Sequence, residues 1–219
     1  MGESQISIVQ ILIVSIGLGL LPFLAVSATS FTKISIVLFL VRNAMGLQQV
    51  PSNLVIQAIA LTLTMFITAP LIEQVYNVVT EPGIKFQTAP DIASATQKIK
   101  KPIVEYLQKY TTEDNREFFV TTTSRLWPDQ YRQRMTNSDI AILIPSFLIA
   151  ELKRAFEIGF LLYLPFMVVD MVVTTILIAM GLSQISPQII TVPFKVFLFI
   201  SIDGWSRLLH GLVLSYVQP

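Results

Sequence analysis

At 219 residues and a net charge of +1, the chain has room for one domain or two small ones and lacks the basic excess of a nucleic-acid binder. It is 53% hydrophobic and 13% charged, about half the charge of a soluble domain, with a mean hydropathy of +0.66. One aqueous core does not need that much apolar surface, so lipid or subunit interfaces must cover the surplus, and the absence of cysteine excludes disulfides, thiolate catalysis and zinc–thiolate sites together.

The first apolar run, Ser4 through Thr32, carries no charge and exceeds the roughly 20 residues that an α-helix needs to cross hydrocarbon. Val26-Ser27-Ala28 offers a small-residue cleavage site. The amino-terminal region nevertheless carries Glu3 with no Lys or Arg, and the run is long for a leader, so it reads as a retained structural helix. A second uncharged run extends from Asn43 through Ile72. Neither run alternates as a barrel strand does, and backbone at membrane depth must satisfy its own hydrogen bonds, which leaves helices.

Between Glu81 and Asp139 the composition changes. This stretch holds nine of the 15 Lys and Arg residues and eight of the 14 Asp and Glu. It opens on the turn signal Glu81-Pro82-Gly83. Ile92, Ala95, Ile99, Ile103 and Leu107 then recur at three- and four-residue spacing, predicting an amphipathic helix with Pro90 in its first turn and Pro102 as a kink. Thr111-Thr112-Glu113-Asp114 reads as a cap with acids in the first turn of a second helix through Phe118 and Phe119. Those two acids favour the helix dipole and need no catalytic role.

Two more apolar blocks follow, Ile140 to Met180 and Ile189 to Val217. The first is interrupted by Glu151, Lys153, Arg154, Glu157 and Asp170, the second by Lys195, Asp203 and Arg207; Lys33 and Arg42 sit beside the earlier runs. An ionised group at the bilayer centre costs about 3 kcal/mol on insertion scales, so these residues must face a bundle interior, a water-filled path or a partner subunit. Acids and bases occur together, which favours pairing between helices or subunits over a proton or ion path. Asp203 and Arg207 offer an i,i+4 pair with Lys195 two turns earlier, and Glu151 with Arg154 and Lys153 with Glu157 offer others. The single histidine, His210, reads as a packing or interface residue.

Pro22, Pro70, Pro145, Pro165 and Pro193 lie within or at the ends of the apolar runs and predict a packed assembly of bent helices. Met180 through Pro187 separates the last two blocks. Gly181 and Pro187 end the flanking helices and leave a tight hairpin with Met180, Leu182 and Ile185 as its apolar elements. On the residues alone this is a membrane-interface turn. Phosphate loops, nucleophile elbows and the HExxH zinc motif are all missing, so no enzyme, cofactor or metal ion is expected.

Three stretches carry more. Phe31-Thr32-Lys33-Ile34-Ser35-Ile36-Val37 leads into Val41-Arg42-Asn43-Ala44-Met45-Gly46-Leu47-Gln48-Gln49-Val50-Pro51-Ser52-Asn53. Pro145-Ser146-Phe147 leads through Glu151-Leu152, Ala155-Phe156-Glu157-Ile158-Gly159-Phe160 and Tyr163-Leu164-Pro165-Phe166 to Val169-Asp170. Pro193-Phe194-Lys195-Val196-Phe197-Leu198-Phe199 ends in Asp203-Gly204-Trp205. Together these closely resemble the SctR/FliP family, the R/P-type export-gate subunits of type III secretion injectisomes and of the flagellar export apparatus. The injectisome branch is favoured by the short insertion and the lack of an obvious cleavable signal.

The resemblance implies a homo-oligomer of five copies joined by the small S/Q- and T/R-type subunits and other export-apparatus membrane proteins. Such an assembly is a helical funnel in the bacterial inner membrane that passes unfolded secreted proteins and performs no chemistry. Much of the apolar sequence would then pack on other subunits instead of spanning lipid, with charges meeting across interfaces, and the insertion would lie in the periplasm. The family's loop before the last hairpin is commonly a run of methionines forming a gasket around the pore. Here that position holds Met180, Gly181, Leu182, Ile185 and Pro187 with polar residues between, an apolar set less adaptable than methionine.

The expected architecture is all-α. Residues 1–80 form an N-terminal apolar helical hairpin, 81–139 a polar helical insertion, and 140–219 C-terminal apolar helical hairpins with the gasket-like loop at 180–187. The expected site residues are that loop and the buried or interface charges Lys33, Arg42, Glu151, Asp170, Lys195, Asp203 and Arg207. The residues also leave open a small-solute secondary transporter, for its broken helices and intramembrane charges, and an assembly scaffold without pore contact.

Overall fold

The computed structural model describes residues 15, 19, 22–82, 89–132, 135–182 and 184–217. Most of the helix expected over the first apolar run therefore lies outside the described residues, as do Gly83 of the turn and Ser183 of the 180–187 loop. All regular structure among the described residues is helical. In chain order the helices are α1 (Phe31–Ala44), α2 (Asn53–Thr80), α3 (Ala89–Tyr110), α4 (Glu113–Leu126), α5 (Asp129–Arg132), α6 (Ile140–Ala179), α7 (Pro187–Ser201) and α8 (Gly204–Leu214). By length and composition α2 and α6 can each cross a membrane, and α7 with α8 can form a third, bent span.

The centre of the bundle is α1, a 14-residue helix that carries Lys33 and Arg42. It is buried nearly all round, through Thr32, Lys33, Ile34, Ser35, Val37, Leu38, Val41, Arg42 and Ala44. Its main partner is α6, with α2 alongside. Gly159 lets α1 and α6 meet closely, since a Cβ there would lie 2.3 Å from the Leu40 Cδ1. The buried positions of α2, Ile56, Ala60, Thr64 and Thr68, recur every four residues and make one narrow contact stripe. The Thr64 and Thr68 hydroxyls donate to the carbonyls of Ala60 and Thr64, both at 2.7 Å, so the stripe buries no unpaired hydroxyl.

Helix ends follow the punctuation in the chain. Past α1, the Gly46 N–H donates to the Asn43 carbonyl and the Leu47 N–H to the Arg42 carbonyl, with Gly46 at φ 78°. This Schellman ending needs the left-handed backbone that glycine adopts without a Cβ penalty. Gly181 ends α6 in the same way, its N–H on Ile178 and the Leu182 N–H on Leu177. Pro187 opens α7 at its first position.

Most of the prolines lie inside helices that continue past them. Helix α2 runs through Pro70, α3 through Pro102, α6 through Pro145 and Pro165, and α7 through Pro193. A 63° bend separates α7 from α8, at Asp203, which takes a left-handed backbone conformation (φ 56°). Aspartate tolerates that region because its short polar side chain relieves the clash.

The insertion docks on the bundle. Leu107 and Tyr110 of α3 pack with Leu143 and Phe147 of α6 and with Tyr216 in a second apolar cluster. Of the amphipathic set, Ala95 and Leu107 are buried, Ile99 and Ile103 half-buried and Ile92 exposed. Thr112 occupies the position before α4, but its side chain makes no capping bond; Glu113 and Asp114 supply the first-turn charge. Asp139, before α6, accepts from the Thr136 N–H at 2.8 Å and from Lys100 at 3.1 Å. Desolvation acts to raise this carboxyl's pKa, but the Thr136 and Lys100 bonds outweigh it and hold it below the usual range.

Candidate functional site

Five of the seven charges singled out by sequence gather around α1. The deepest pair is Lys33 and Glu151, 1% and 0% exposed, with Nζ 3.7 Å from Oε1 across α1 and α6. Glu151 also accepts from Arg154 Nη1 at 3.4 Å and from the Tyr216 hydroxyl. Lys33 Nζ lies 3.4 Å from the centre of the Tyr216 ring, a cation–π contact in a dry setting. Arg154 Nη1 donates to the Tyr110 carbonyl at 3.0 Å, and the Tyr110 hydroxyl donates to the Tyr216 carbonyl at 3.0 Å. A buried ion pair holds only when further hydrogen bonds satisfy the remaining lone pairs, and Glu151 has them on both oxygens.

A second charged group sits at the other end of α1. Lys195 of α7 donates to the Ala44 carbonyl at 3.0 Å and to Asp170 Oδ2 at 2.5 Å. A cation at a helix C-terminus answers carbonyls that the helix leaves unpaired. One ammonium thus ties α1 to both arms of the C-terminal hairpin. Arg42 closes the α1–α2 turn instead, donating to the Pro51 carbonyl at 3.1 Å and to Asn53 Oδ1 at 2.7 Å. Its guanidinium carbon lies 5.1 Å from the Phe39 ring centre.

Asp203 and Arg207 are not part of this arrangement. The left-handed turn at Asp203 ends α7, so the two residues do not share one helix face as the i,i+4 spacing predicted. The Arg207 N–H donates to the Asp203 backbone carbonyl at 3.1 Å, their side chains form no ion pair, and both residues are exposed in the single chain. Lys195, expected on nearly the same face, is turned to Asp170. The Glu151–Arg154 and Lys153–Glu157 pairs do form, the latter on the surface at 3.9 Å. Around the bend, Gly204 leaves room for the Phe199 ring, whose carbons lie 2.5 Å from where a Cβ would stand. Phe199 in turn meets Trp205 edge-on at 5.2 Å.

The loop between α6 and α7 stands at the hairpin tip with Met180, Leu182 and Ile185 exposed to 65%, 38% and 39%. Nothing lies within 4 Å of the Cβ position of Gly181. The described residues hold no group of three or more His, Cys, Asp or Glu side chains placed for a metal ion.

All the charges of the site, and the loop, fall inside residues 13–212, the segment matched by the model of the FliP family. The chain belongs to the FliP family. Relatives of this FliP-family chain align with it almost end to end. "Probable translocation protein y4yL" of Sinorhizobium fredii is 55% identical over 219 residues, covering 100% of this chain and 99% of that protein. "Yop proteins translocation protein R" of Yersinia pestis is 40% identical over 208 residues, covering 95% and 96%. "Hypersensitivity response secretion protein HrcR" of Ralstonia nicotianae is 39% identical over 216 residues, covering 97% and 99%. The family is the one that the three motifs resembled, and their charged residues have distinct jobs in this FliP chain. The first motif supplies Lys33 and Arg42, the second Glu151 and Asp170, and the third Lys195 and the Asp203 bend.

Sequence reasoning missed Tyr110 and Tyr216. Tyr216 lies in an apolar carboxy-terminal stretch, where a phenol reads as an interfacial residue. The one available signal was chemical: a buried Glu151 and a buried Lys33 need more donors and acceptors than each other.

Proposed function

We propose that the chain is a pore-forming subunit of a type III secretion export gate in the bacterial inner membrane. Several copies would join small partner subunits of the S/Q and T/R types and pass unfolded secreted proteins along their common axis. The observation that carries this reading is the outer face of α6. That helix has 40 residues, and only 11% of its most apolar stretch is buried within the chain. A single subunit leaves Phe156, Phe160, Leu164, Met167 and Met171 uncovered, more apolar surface than a lone chain presents to water. FliP-family membership and the translocation and secretion names of the relatives support covering this face with other subunits of an export apparatus over the solute-transporter alternative.

In this reading the α6–α7 loop is the barrier. Copies arranged around an axis would bring Met180, Leu182 and Ile185 into a narrow apolar ring. Such a ring blocks water and ions by dewetting and yields to a threaded chain. The insertion at 81–139 would face the periplasm, which is reached across a membrane spanned by α2 and α6. The test is a variant with both Leu182→Gly and Ile185→Gly. Leak of small ions or dyes across the inner membrane, with the complex assembled, is the expected outcome, and Met180→Ala alone should leak less. Membranes as tight as wild type around an assembled double variant would remove this loop from the seal.

A further inference from the structure

Tyr216 follows α8, and its side chain reaches the centre of the molecule, 5% exposed. It touches three elements far apart in the chain. The ring lies on the Lys33 ammonium of α1 at 3.4 Å. The hydroxyl donates to Glu151 Oε2 of α6. The main-chain carbonyl accepts from the Tyr110 hydroxyl of α3 at 3.0 Å, and the two rings meet edge to face at 5.2 Å. Arg154 closes the circuit, bonded to both Glu151 and the Tyr110 carbonyl.

Each of these contacts alone has an ordinary structural explanation. Their convergence adds directional contacts to the apolar packing that already orients these helices. Buried charges and their hydrogen bonds are directional, and a misplacement leaves a charge unpaired. Shifting α3 moves the Tyr110 carbonyl away from Arg154 and the Tyr110 hydroxyl away from Tyr216. Shifting α8 moves the phenol off Glu151 and the ring off Lys33. The insertion and the carboxy-terminal helix therefore read the same buried pair.

We infer that Tyr216 is a latch, a positioning residue through which the carboxy-terminal end holds the insertion helix α3 in one register against α1 and α6. Movement of α3 then shifts the partners of the buried pair, and loss of the Tyr216 contacts loosens α3 against α1 and α6. Tyr106, one turn before Tyr110, borders the same region. Burial, and then the Glu151 carboxylate, push its phenol pKa up, so it remains neutral there.

The test is amide hydrogen exchange on the full-length protein in its purified complex, comparing wild type with Tyr216→Phe and Tyr216→Ala. Local opening raises exchange in the elements that a contact holds. In Tyr216→Phe, which keeps the ring on Lys33 and Tyr110 but loses the bond to Glu151, exchange should rise roughly tenfold around residues 147–154. That is the size expected for one lost hydrogen bond to a charged group. In Tyr216→Ala the rise should extend to α1 near Lys33 and to α3 near Tyr110, over a hundred residues away in sequence. Faster exchange confined to residues 204–217 in both variants overturns the latch. Should the alanine variant fail to fold, Tyr216→Phe is repeated in a Glu151→Gln background. A latch requires the phenylalanine change to have a smaller effect there than in wild type; an equal effect overturns it. Exchange is read without secretion, so its outcome stands apart from that of the gate reading.

Discussion

Helices α1 and α6 invert the usual order of a folded chain. The helix carrying Lys33 and Arg42 is buried on nearly every side, while the far more apolar α6 leaves most of its length uncovered. In water the reverse would hold, with charges outside and leucines inside. Hydropathy alone therefore does not mark the interior of this chain: α1 buries Lys33 and Arg42 together with Ile34, Val37, Leu38 and Val41, while α6 leaves its most apolar stretch uncovered. Buried ion pairs contribute little net stability, but they are directional, and here they set how α1, α6 and α7 meet.

The contrast can be broken at its centre. Glu151→Ala strands Lys33 in the core and should cost about 3–5 kcal/mol, seen as a lower midpoint for heat-induced loss of folded protein in mild detergent. The triple variant Lys33→Met, Glu151→Leu and Tyr216→Phe removes the whole charge-bearing set and should recover most of that loss. A triple variant as damaged as the single one would show that these residues do more than neutralise one another.

A smaller effect is expected where the two helices touch. Gly159→Ala places a methyl group against Leu40 and should cost about 1–3 kcal/mol by the same heating assay, because the side chain and α1 must shift. The outer face of α6 should respond in the opposite sense. Phe160→Ser changes an exposed position, so the folded chain should lose less than about 0.5 kcal/mol. Its copy number in the purified complex should nevertheless fall. Equal damage to fold and assembly would erase the distinction between the two faces.

The smallest effect belongs to the junction between insertion and bundle. The Asp139 carboxyl is held below its ordinary value, so its contribution is fully present above the ordinary carboxylate range. It is lost as the pH falls through the lowered folded-state value. Asp139→Asn should therefore cost less than about 1 kcal/mol at neutral pH, the pair with Lys100 being partly exposed. The difference from wild type should shrink in acid; a difference that grows there would mean the sign is wrong.

Much of the fold could be read in the chain, since long uncharged runs admit only helices at membrane depth. Gly181 and Pro187 bound the α6–α7 loop as their backbone chemistry requires. The amphipathic spacing from Ala95 to Leu107 marked the side of α3 that docks. The prolines did not end their helices, because neighbouring groups can re-satisfy the freed carbonyl, and α6 continues through Pro145 and Pro165. The bend fell at Asp203, a residue whose left-handed conformation no periodicity reveals. Of the seven charges, Lys33, Arg42, Glu151 and Lys195 are buried, Asp170 is half-buried, and Asp203 and Arg207 are exposed in the single chain. The local pair Glu151–Arg154 followed from spacing; the pair Asp203–Arg207 did not form. The pairs that organise the molecule, Lys33–Glu151 between α1 and α6 and Asp170–Lys195 between α6 and α7, join different helices and became visible only with the helices in place.

If further copies and partner subunits cover the exposed apolar faces of α2 and α6, native mass spectrometry of the complex released from membranes in mild detergent should find a particle containing several copies of this 24.5 kDa chain together with smaller membrane subunits. A particle containing one copy, with only detergent or lipid on those faces, would contradict that reading.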